Sequence, residues 1–298
     1  MEYNVKPFLK WVGGKSNLLR EIRNYYPFDN KIIKYAEPFV GGGSVLFDIL
    51  NRYELESIYI SDLNKDLIDV YNVIKNNVND LLLELELLQN NFLKLDKNYK
   101  KDFFYQKRKL FNELKIISKL KEKDNIKKAS LMIFLNKTCY NGLYRVNKKN
   151  LFNVPLGSYK KPIIFDQNNL ISLSKRIRNI SFLCKDYKKS SNFIDENTFV
   201  YLDPPYRPIS QTSNFVNYTE FSFDDKKQKE LSCFINKIHK KGAKFLLSNS
   251  DPKNVNKNDN FFEKLYIDYS INKVDAKRSI NSKSNSRKTI KELLITNI

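Results

Sequence analysis

Alternating hydrophobic and polar segments predict strands and helices in turn along the first third of the chain. An apolar strand pattern over residues 34–40 runs into glycines, and a helix-like apolar run follows over 44–50. A second strand over 57–61 ends at Asp62, and residues 66–75 place apolar side chains on one face of a helix. This order of strand, glycine turn, helix, strand and acidic residue is typical of a nucleotide-binding βαβ unit.

The last third of the chain carries four more strand patterns and one long helix pattern. Residues 198–202 form a strongly apolar run that contains β-branched and aromatic residues, typical of a strand buried on both faces. A helix is predicted over 224–241, and a further buried strand over 243–248. The tail is predicted to hold two strands, near 264–274 and over 289–297, joined by a hairpin loop over 275–288.

The middle of the chain has a different pattern. Residues 77–128 are rich in Leu, Lys and Asn and lack Pro and Gly, which predicts two or three helices. Residues 136–162 then predict an irregular loop region. We therefore expect one α/β domain, formed by residues 1–75 and 166–298, that is interrupted by a mostly helical insertion over residues 76–165.

The composition and net charge are compatible with binding to nucleic acid but do not establish it. The 298 residues are 41% hydrophobic, as expected for a globular chain. They include 53 Lys+Arg against 33 Asp+Glu, a net charge of +20 that attracts polyanions such as nucleic acid. An AT-rich genome also favours Lys, Asn and Ile, so charge alone does not identify the partner.

The rare residues exclude several classes of site. The single histidine, His239, excludes a His-rich metal site, and we expect no metal. The three cysteines form no CxxC pair, which argues against a disulfide framework, a zinc ribbon and a zinc deaminase. With no apolar signal core and no 18-residue apolar stretch, we expect a cytoplasmic protein without membrane contact.

Two glycine turns suggest ligand contacts. The segment from Glu37 to Ser44 contains three glycines between a strand and a helix, which lets a ligand approach the backbone closely. Asp62 ends the next strand, where a carboxylate binds ribose hydroxyls. The pattern is not GxGxxG, and a purely structural turn is the alternative. The second turn precedes Lys15, but Leu9 occupies a position where a phosphate-binding P-loop needs glycine.

The tetrapeptide Asp203-Pro204-Pro205-Tyr206 is the most specific motif in the chain. It follows the buried strand over 198–202, at the end where α/β sheets bind ligands. Neither proline has an N–H to donate, so the carbonyl of Pro204 is left to accept a hydrogen bond. Asp203 and this carbonyl can accept both hydrogens of an exocyclic amine, and Tyr206 offers a flat ring for stacking.

With these motifs in order, the chain resembles the DNA adenine-N6 methyltransferases of the Dam type. The matching blocks, in chain order, are residues 8–15, residues 37–44, Asp62, residues 139–145 with 152–157, the tetrapeptide 203–206, and the tail runs 278–287 and 292–294. The resemblance implies a Rossmann-like methyltransferase sheet with an inserted, mostly helical DNA-recognition domain. It also implies S-adenosylmethionine as the methyl donor.

The resemblance assigns roles to particular residues. The cofactor-binding residues it implies are Trp11, Lys15, Glu37, Phe39, Gly41, Asp62, Asp186, Tyr187 and Asp203. Asp203, Pro204 and Tyr206 are implied to be catalytic: the first two accept the hydrogens of the adenine amine, and the ring of Tyr206 holds a base flipped out of the duplex.

The same resemblance places DNA recognition in the middle loop. Arg145 is the implied reader of guanine, because arginine binds its O6 and N7 atoms bidentately. Tyr140 is implied to intercalate beside the flipped base, Asn141 to hold a phosphate, and Leu143 and Pro155 to make apolar base contacts. We expect methylation of GATC in double-stranded DNA by a monomer.

Other functions stay open from the sequence alone. The amine acted on is alternatively cytosine N4, an RNA adenine or a protein glutamine. A different class of protein, a basic DNA-binding module that has lost catalysis, also fits the charge. The intact tetrapeptide and cofactor motifs favour the adenine methyltransferase.

Overall fold

The structure is a computed structural model that describes residues 4–207, 223–277 and 289–298. Its contacts divide the chain into two compact units that alternate along the sequence. The first comprises Met1–Gly14, Gly41–Arg52 and Asn64–Cys184, and the second comprises Lys15–Val40, Tyr53–Leu63 and Lys185–Ile298. The insertion predicted over residues 76–165 lies within the first unit, and its bounds as a domain stay a prediction.

A mixed sheet organises the second unit. The strands are β1 (Lys34–Glu37), β2 (Ser57–Asp62), β3 (Ser181–Cys184), β4 (Thr198–Leu202), β5 (Lys244–Ser250), β6 (Ser270–Lys277) and β7 (Thr289–Thr296). Six of these seven strands belong to the second unit, in the spatial order β2-β1-β4-β5-β7-β6. The first four are parallel, and β7 is antiparallel to both β5 and β6. The predicted α/β class is therefore confirmed.

Nine α-helices lie in the described ranges. They are α1 (Leu19–Ile22), α2 (Ser44–Leu50), α3 (Lys65–Asn76), α4 (Val78–Lys94), α5 (Lys97–Lys115), α6 (Glu122–Thr138), α7 (Gln167–Arg176), α8 (Asp225–Lys240) and α9 (Phe261–Leu265). Polar side chains begin several of them: Asn64 accepts from the backbone N–H of Leu67 at 3.1 Å, and Asp224 accepts from that of Lys227 at 2.9 Å. These caps satisfy N–H groups that have no partner within the helix.

Strand β4 forms the centre of the second unit. All of its residues are buried, which agrees with the continuous hydrophobic run predicted for a central strand. It pairs with β1 on one side and β5 on the other. Side chains of its residues pack in a core with α8, including Leu231, Phe234 and Ile235. The chain leaves β4 directly into Asp203, so a rigid strand positions the tetrapeptide.

The structure corrects several predicted bounds. The strand predicted over 34–40 ends at Glu37, because Pro38 has no N–H to continue the ladder. The helical middle forms three helices, and the third continues to Thr138, inside the predicted loop region. Helix α6 is buried over most of its surface, so its sequence shows little of the alternation that marks a surface helix.

The prediction for the tail is wrong at its start. Of the strand predicted from 264, Lys264 and Leu265 belong to α9, residues 266–269 connect the two elements, and β6 begins only at Ser270. Phe262 and Tyr266 are four residues apart and both buried, a spacing that favours one helical face. Strand β6 also includes residues 275–277, which the sequence pattern predicts as part of the hairpin loop. The rest of that loop, 278–288, lies outside the described residues.

Candidate active site

A buried ion pair lies where β4 ends in the second unit. The Nζ atom of Lys15 donates to Oδ2 of Asp203 at 2.7 Å. The Lys15 side chain is 4% exposed and that of Asp203 is 20% exposed, so the carboxylate keeps partial access from outside while the lysine is enclosed. A charge at this depth is stable only when paired, which explains why an acidic residue is tolerated directly after a hydrophobic strand.

Tyr206 is fixed beside this pair by two contacts. Its hydroxyl donates to Oε2 of Glu292 on β7 at 2.6 Å, and Nζ of Lys15 lies 4.9 Å from the centre of its ring. Burial, together with Asp203 and Glu292, raises the pKa of the Tyr206 hydroxyl well above its ordinary value. The hydroxyl therefore remains a donor, and the ring is held in one orientation.

The surroundings of Asp203 shift its protonation. Burial is the largest cause and raises the pKa of the carboxyl to about 6; Glu292 also raises it, whereas Lys15 lowers it. An ordinary aspartate has a pKa of about 3.9. Asp203 is thus ionised at neutral pH but holds a proton more readily than a surface carboxylate, which suits a group that accepts hydrogen bonds from an amine.

Other predicted residues follow the neighbouring strands of the same unit. Glu37 ends β1 and is buried, and its Oε2 accepts from the hydroxyl of Tyr35 at 2.8 Å. Asp62 ends β2. The backbone N–H of Val40 donates to the carbonyl of Ser61 at 3.1 Å, so the segment that contains Phe39 runs beside the end of β2. Carboxylates thus end two adjacent parallel strands, as expected at a ligand-binding edge.

Phe39 and Tyr187 form an aromatic stack near this edge. Their ring centres are 5.3 Å apart, with an angle of 28° between the planes. Tyr187 is buried and also packs edge-on against Phe234, whereas Phe39 is only partly buried. Asp186 caps a short 3-10 helix by accepting from the backbone N–H of Lys188 at 2.9 Å. Of the aromatic pair, Phe39 offers the more accessible face for a ligand ring.

The first unit contains the other two residues predicted to bind a cofactor. Trp11 is half-buried and packs against the glycine turn: a Cβ added to Gly41 would lie 3.1 Å from its Nε1, and one added to Gly42 would lie 2.8 Å from its Cβ. The carbonyl of Gly41 accepts from the hydroxyl of Tyr71 at 3.0 Å. Side chains at these glycines would displace the tryptophan, so glycine is required here by close approach.

The five predicted DNA-binding residues all lie in one loop, residues 139–157, between α6 and α7. The backbone N–H of Tyr140 donates to the carbonyl of Pro155 at 2.9 Å, which holds the two ends of this loop together. Nε of Arg145 donates to Oδ1 of Asn153 at 2.8 Å. Asn141 has a φ of 54° and is exposed, and Leu143 is partly buried nearby. Arg145 and Pro155 are also exposed.

The structure adds residues whose roles were not predicted. Glu292 belongs to a tail run that matched the resembling family, yet its bond to Tyr206 joins residues 86 positions apart. Asn153 orients Arg145, and Tyr144 stacks on Trp11 with ring centres 5.6 Å apart. Local patterns carry no signal for such pairings, because partners of this kind meet only through the fold.

The described ranges contain no group of metal ligands, no helix that could cross a membrane and no disulfide bond. Within residues 4–207, 223–277 and 289–298, no group of three or more His, Cys, Asp or Glu side chains is arranged to hold a metal ion. No helix in these ranges is long and apolar enough to cross a membrane. All three cysteines are free, and burial raises the pKa of the Cys139 thiol to about 12.

Comparison with known proteins gives matches over nearly the whole chain. A profile of the family described as D12 class N6 adenine-specific DNA methyltransferase matches residues 11–280. The Type II methyltransferase M.MjaIII of Methanocaldococcus jannaschii is 49% identical over 297 residues, covering 98% of this chain and 99% of that protein. The Type II methyltransferase M1.LlaDCHI of Lactococcus lactis is 34% identical over 296 residues, covering 99% and 96%. The DNA adenine methylase of Escherichia coli K12 is 33% identical over 293 residues, covering 97% and 94%.

Proposed function

The chain belongs to the D12 class of N6 adenine-specific DNA methyltransferases, and from this premise we propose that it methylates adenine in GATC sites of double-stranded DNA with S-adenosylmethionine as donor. The observation that carries the proposal is the buried pair of Lys15 and Asp203 beside the fixed ring of Tyr206. It combines a hydrogen-bond acceptor of raised pKa with an aromatic surface, at the edge where α/β sheets bind ligands.

The chemistry required of the protein follows from the weakness of the nucleophile. The lone pair of the adenine amine is delocalised into the ring, so the nitrogen attacks poorly. Lys15 engages Oδ2 of Asp203, and we assign the other oxygen, Oδ1, to accept one amine hydrogen. The carbonyl of Pro204 accepts the second hydrogen. With both hydrogens held, the lone pair is directed out of the ring plane, and positioning supplies much of the rate.

The residues of the second unit suit the proposed donor. S-adenosylmethionine, when bound, supplies an electrophilic methyl group. Asp62 offers a carboxylate for ribose hydroxyls at the end of β2, and Phe39 offers a partly exposed ring for the adenine of the cofactor. In the first unit, Trp11 and the backbone of Gly41 are assigned to the same cofactor. Lys15, which the resemblance assigns to the cofactor, holds Asp203 and thereby serves the catalytic group as well.

Recognition of DNA is assigned to the 139–157 loop. Arg145 is exposed and its guanidinium is oriented by Asn153, which suits bidentate contact with guanine. Tyr140 is 46% exposed, so its ring is accessible for insertion between bases. The target amine lies inside the duplex stack, so the adenine must be flipped out to reach Asp203. Action as a monomer in a reducing cytoplasm completes the proposal, in keeping with the free cysteines.

The proposal is tested with purified protein, labelled S-adenosylmethionine and two duplexes that differ only in GATC versus GTTC. Nucleosides from the product are identified by mass spectrometry. We expect labelled N6-methyladenine from the GATC duplex alone. Equal methylation of both duplexes would contradict the GATC assignment. N4-methylcytosine in the product would identify cytosine as the target base, and methylation of an RNA control would identify RNA as a substrate. Donor binding without any methylated product would contradict the proposed activity on duplex DNA.

A further inference from the structure

The side chain of Trp11 is held between parts of the first unit that are distant in sequence. Its ring stacks on that of Tyr144, with centres 5.6 Å apart and planes at 26°. The same tryptophan packs closely on the glycine turn at Gly41 and Gly42. Its position therefore depends on the ring of Tyr144 as well as on the turn.

The hydroxyl of Tyr144 is fixed by two charged partners. It donates to Oδ2 of Asp66 at 2.6 Å and accepts from Nζ of Lys115 at 2.9 Å. Burial, together with Asp66, raises the pKa of this hydroxyl, so it stays protonated and continues to donate. Both hydrogen-bonding roles of the hydroxyl are thus filled, and the ring has little freedom to rotate.

Asp66 belongs to a buried network that joins three helices. Nζ of Lys128 on α6 contacts Oδ1 of Asp66 at 3.2 Å and Oδ2 of Asp69 at 2.6 Å, and Lys115 on α5 also pairs with Asp66. Burial raises the pKa of Asp66, but Lys115 and Lys128 lower it more, so the net shift is downward. Lys65 on α3 also donates to Asp69 at 2.8 Å, so three ammonium groups surround two carboxylates, and these paired charges hold the partners of Tyr144 in place.

Tyr144 is also part of the 139–157 loop. It directly precedes Arg145, the residue assigned to read guanine, and its ring lies 5.9 Å from that of Phe152. Val146 and Phe152 pair across the loop, so Tyr144 and Arg145 directly precede a residue that is held by this bridge. One side chain therefore contacts both the assigned cofactor residue and the assigned DNA-reading loop.

We propose that Tyr144 is a positioning residue that fixes Trp11 and couples the 139–157 loop to the binding of the methyl donor. The proposal rests on the proposed function, because that function assigns Trp11 to the donor and Arg145 to DNA. Contact between the loop and DNA then stabilises the arrangement in which Trp11 binds the donor. Such coupling is reciprocal: the factor by which DNA improves donor binding equals the factor by which the donor improves DNA binding.

The test uses the fact that Trp11 is the only tryptophan in the chain, so its fluorescence reports on this site alone. Tyr144→Leu removes the stacked ring, and Tyr144→Phe removes only the hydroxyl. Tyr99→Leu, at a tyrosine that is 65% exposed on α5, is the matched control. In Tyr144→Leu we expect emission at longer wavelength and stronger acrylamide quenching, with a smaller change in Tyr144→Phe and none in the control.

Two ligand measurements follow on the same variants. In Tyr144→Leu, the KM for S-adenosylmethionine should rise by about 2- to 10-fold, the range for loss of an aromatic pair, with a smaller change in kcat. Calorimetry with S-adenosylhomocysteine, with and without a GATC duplex, measures the coupling directly. The factor by which DNA improves its binding should fall towards one in Tyr144→Leu and stay at the wild-type value in Tyr99→Leu.

The outcomes separate this proposal from the proposed function. Unchanged Trp11 emission in folded Tyr144→Leu, or an unchanged coupling factor, would overturn the role of Tyr144 even if the wild type methylates GATC. Conversely, a wild type that transfers no methyl group, but whose Trp11 emission and coupling factor respond to Tyr144→Leu, would contradict the proposed function and retain the positioning role. If Tyr144→Leu fails to fold, Tyr144→Phe still tests the proposal, because it keeps the ring and removes only the hydroxyl that Asp66 and Lys115 hold.

Discussion

The ammonium group of Lys15 donates to Asp203 across 2.7 Å, although the two residues are 188 positions apart in the chain. The lysine directly follows Gly13 and Gly14, and the aspartate follows the central strand of the second unit. This pair places the assigned catalytic carboxylate next to a positive charge that opposes the effect of burial on its pKa. The pKa of Asp203 therefore reflects both burial, which raises it, and Lys15, which lowers it, and it can be measured from the pH dependence of methyl transfer.

Methyl transfer should depend on the ionisation of Asp203. Its pKa is raised to about 6, and the protonated carboxyl cannot serve as a full acceptor for the adenine amine. The rate of a single turnover should therefore be low at pH 5 and rise through about pH 6 to a plateau. The rate is measured at saturating donor and DNA. A rate independent of pH between 5 and 8 would exclude Asp203 as the group whose ionisation limits transfer.

Glu292→Gln should move this pH profile towards lower pH. The carboxylate of Glu292 raises the pKa of Asp203, and glutamine removes the charge while keeping an oxygen to accept from Tyr206. Lys15→Met should move the midpoint in the opposite direction, because Lys15 lowers the same pKa. Glu230→Gln, at a surface pair with Lys188, is the control and should leave the midpoint unchanged. Shifts of the same sign in both site variants would refute this account.

Asp203→Asn should lower the rate of methyl transfer by about 10²- to 10³-fold, the usual cost of removing one preorganised hydrogen-bonding group that stabilises the transition state. Affinity for DNA should change by no more than about threefold, because phosphate contacts dominate it. Rapid-quench assays give the rate, and fluorescence anisotropy with a labelled duplex gives the affinity. Circular dichroism shows whether the variant is folded. Retained transfer in the folded variant would remove Asp203 from the catalytic role.

Arg145→Ala should reduce discrimination at one G·C pair by about 1–3 kcal/mol. Asn153→Ala should have the same effect to a smaller extent, since Asn153 only orients the guanidinium. Lys149→Ala, in the same loop and exposed, should weaken binding to all sequences alike. The measurement compares kcat/KM for GATC with the values for duplexes that carry one changed base pair. Equal loss for all duplexes in Arg145→Ala would assign Arg145 to the phosphates.

Gly43→Ala should destabilise the protein more than Gly13→Ala. Both glycines have positive φ values, 73° and 79°, so alanine costs about 1–2 kcal/mol at either position. At Gly43 the new Cβ would also lie 2.6 Å from the hydroxyl of Tyr71, whereas at Gly13 nothing lies within 4 Å. Overpacking adds about 1–3 kcal/mol to the loss at Gly43. Urea denaturation measures the free energy of unfolding of each variant. Equal decreases in the two variants would show that the residues around Gly43 move enough to accommodate the added Cβ.

The sequence predicts the parts of the site that are local. Asp203-Pro204-Pro205-Tyr206 follows a run of apolar residues whose burial is continuous, so both the strand and the tetrapeptide can be located from the sequence. The bonds that Glu292 and Tyr144 make depend on how distant segments pack, which no periodicity encodes. The sequence pattern predicts the start of β6 too early, because the apolar residues of Phe261–Leu265 fit either a strand or a helix until their packing partners are known.

The position of β7 has a consequence for biosynthesis. This strand lies between β5 and β6 in the sheet but is made after both of them. Until residues 289–296 have been synthesised, β5 and β6 lack a common neighbour, and Tyr206 lacks the Glu292 carboxylate that fixes its ring. A nascent chain that has completed Asp203 therefore does not yet have a complete active site. Assembly of the site waits for a strand made more than 80 residues later.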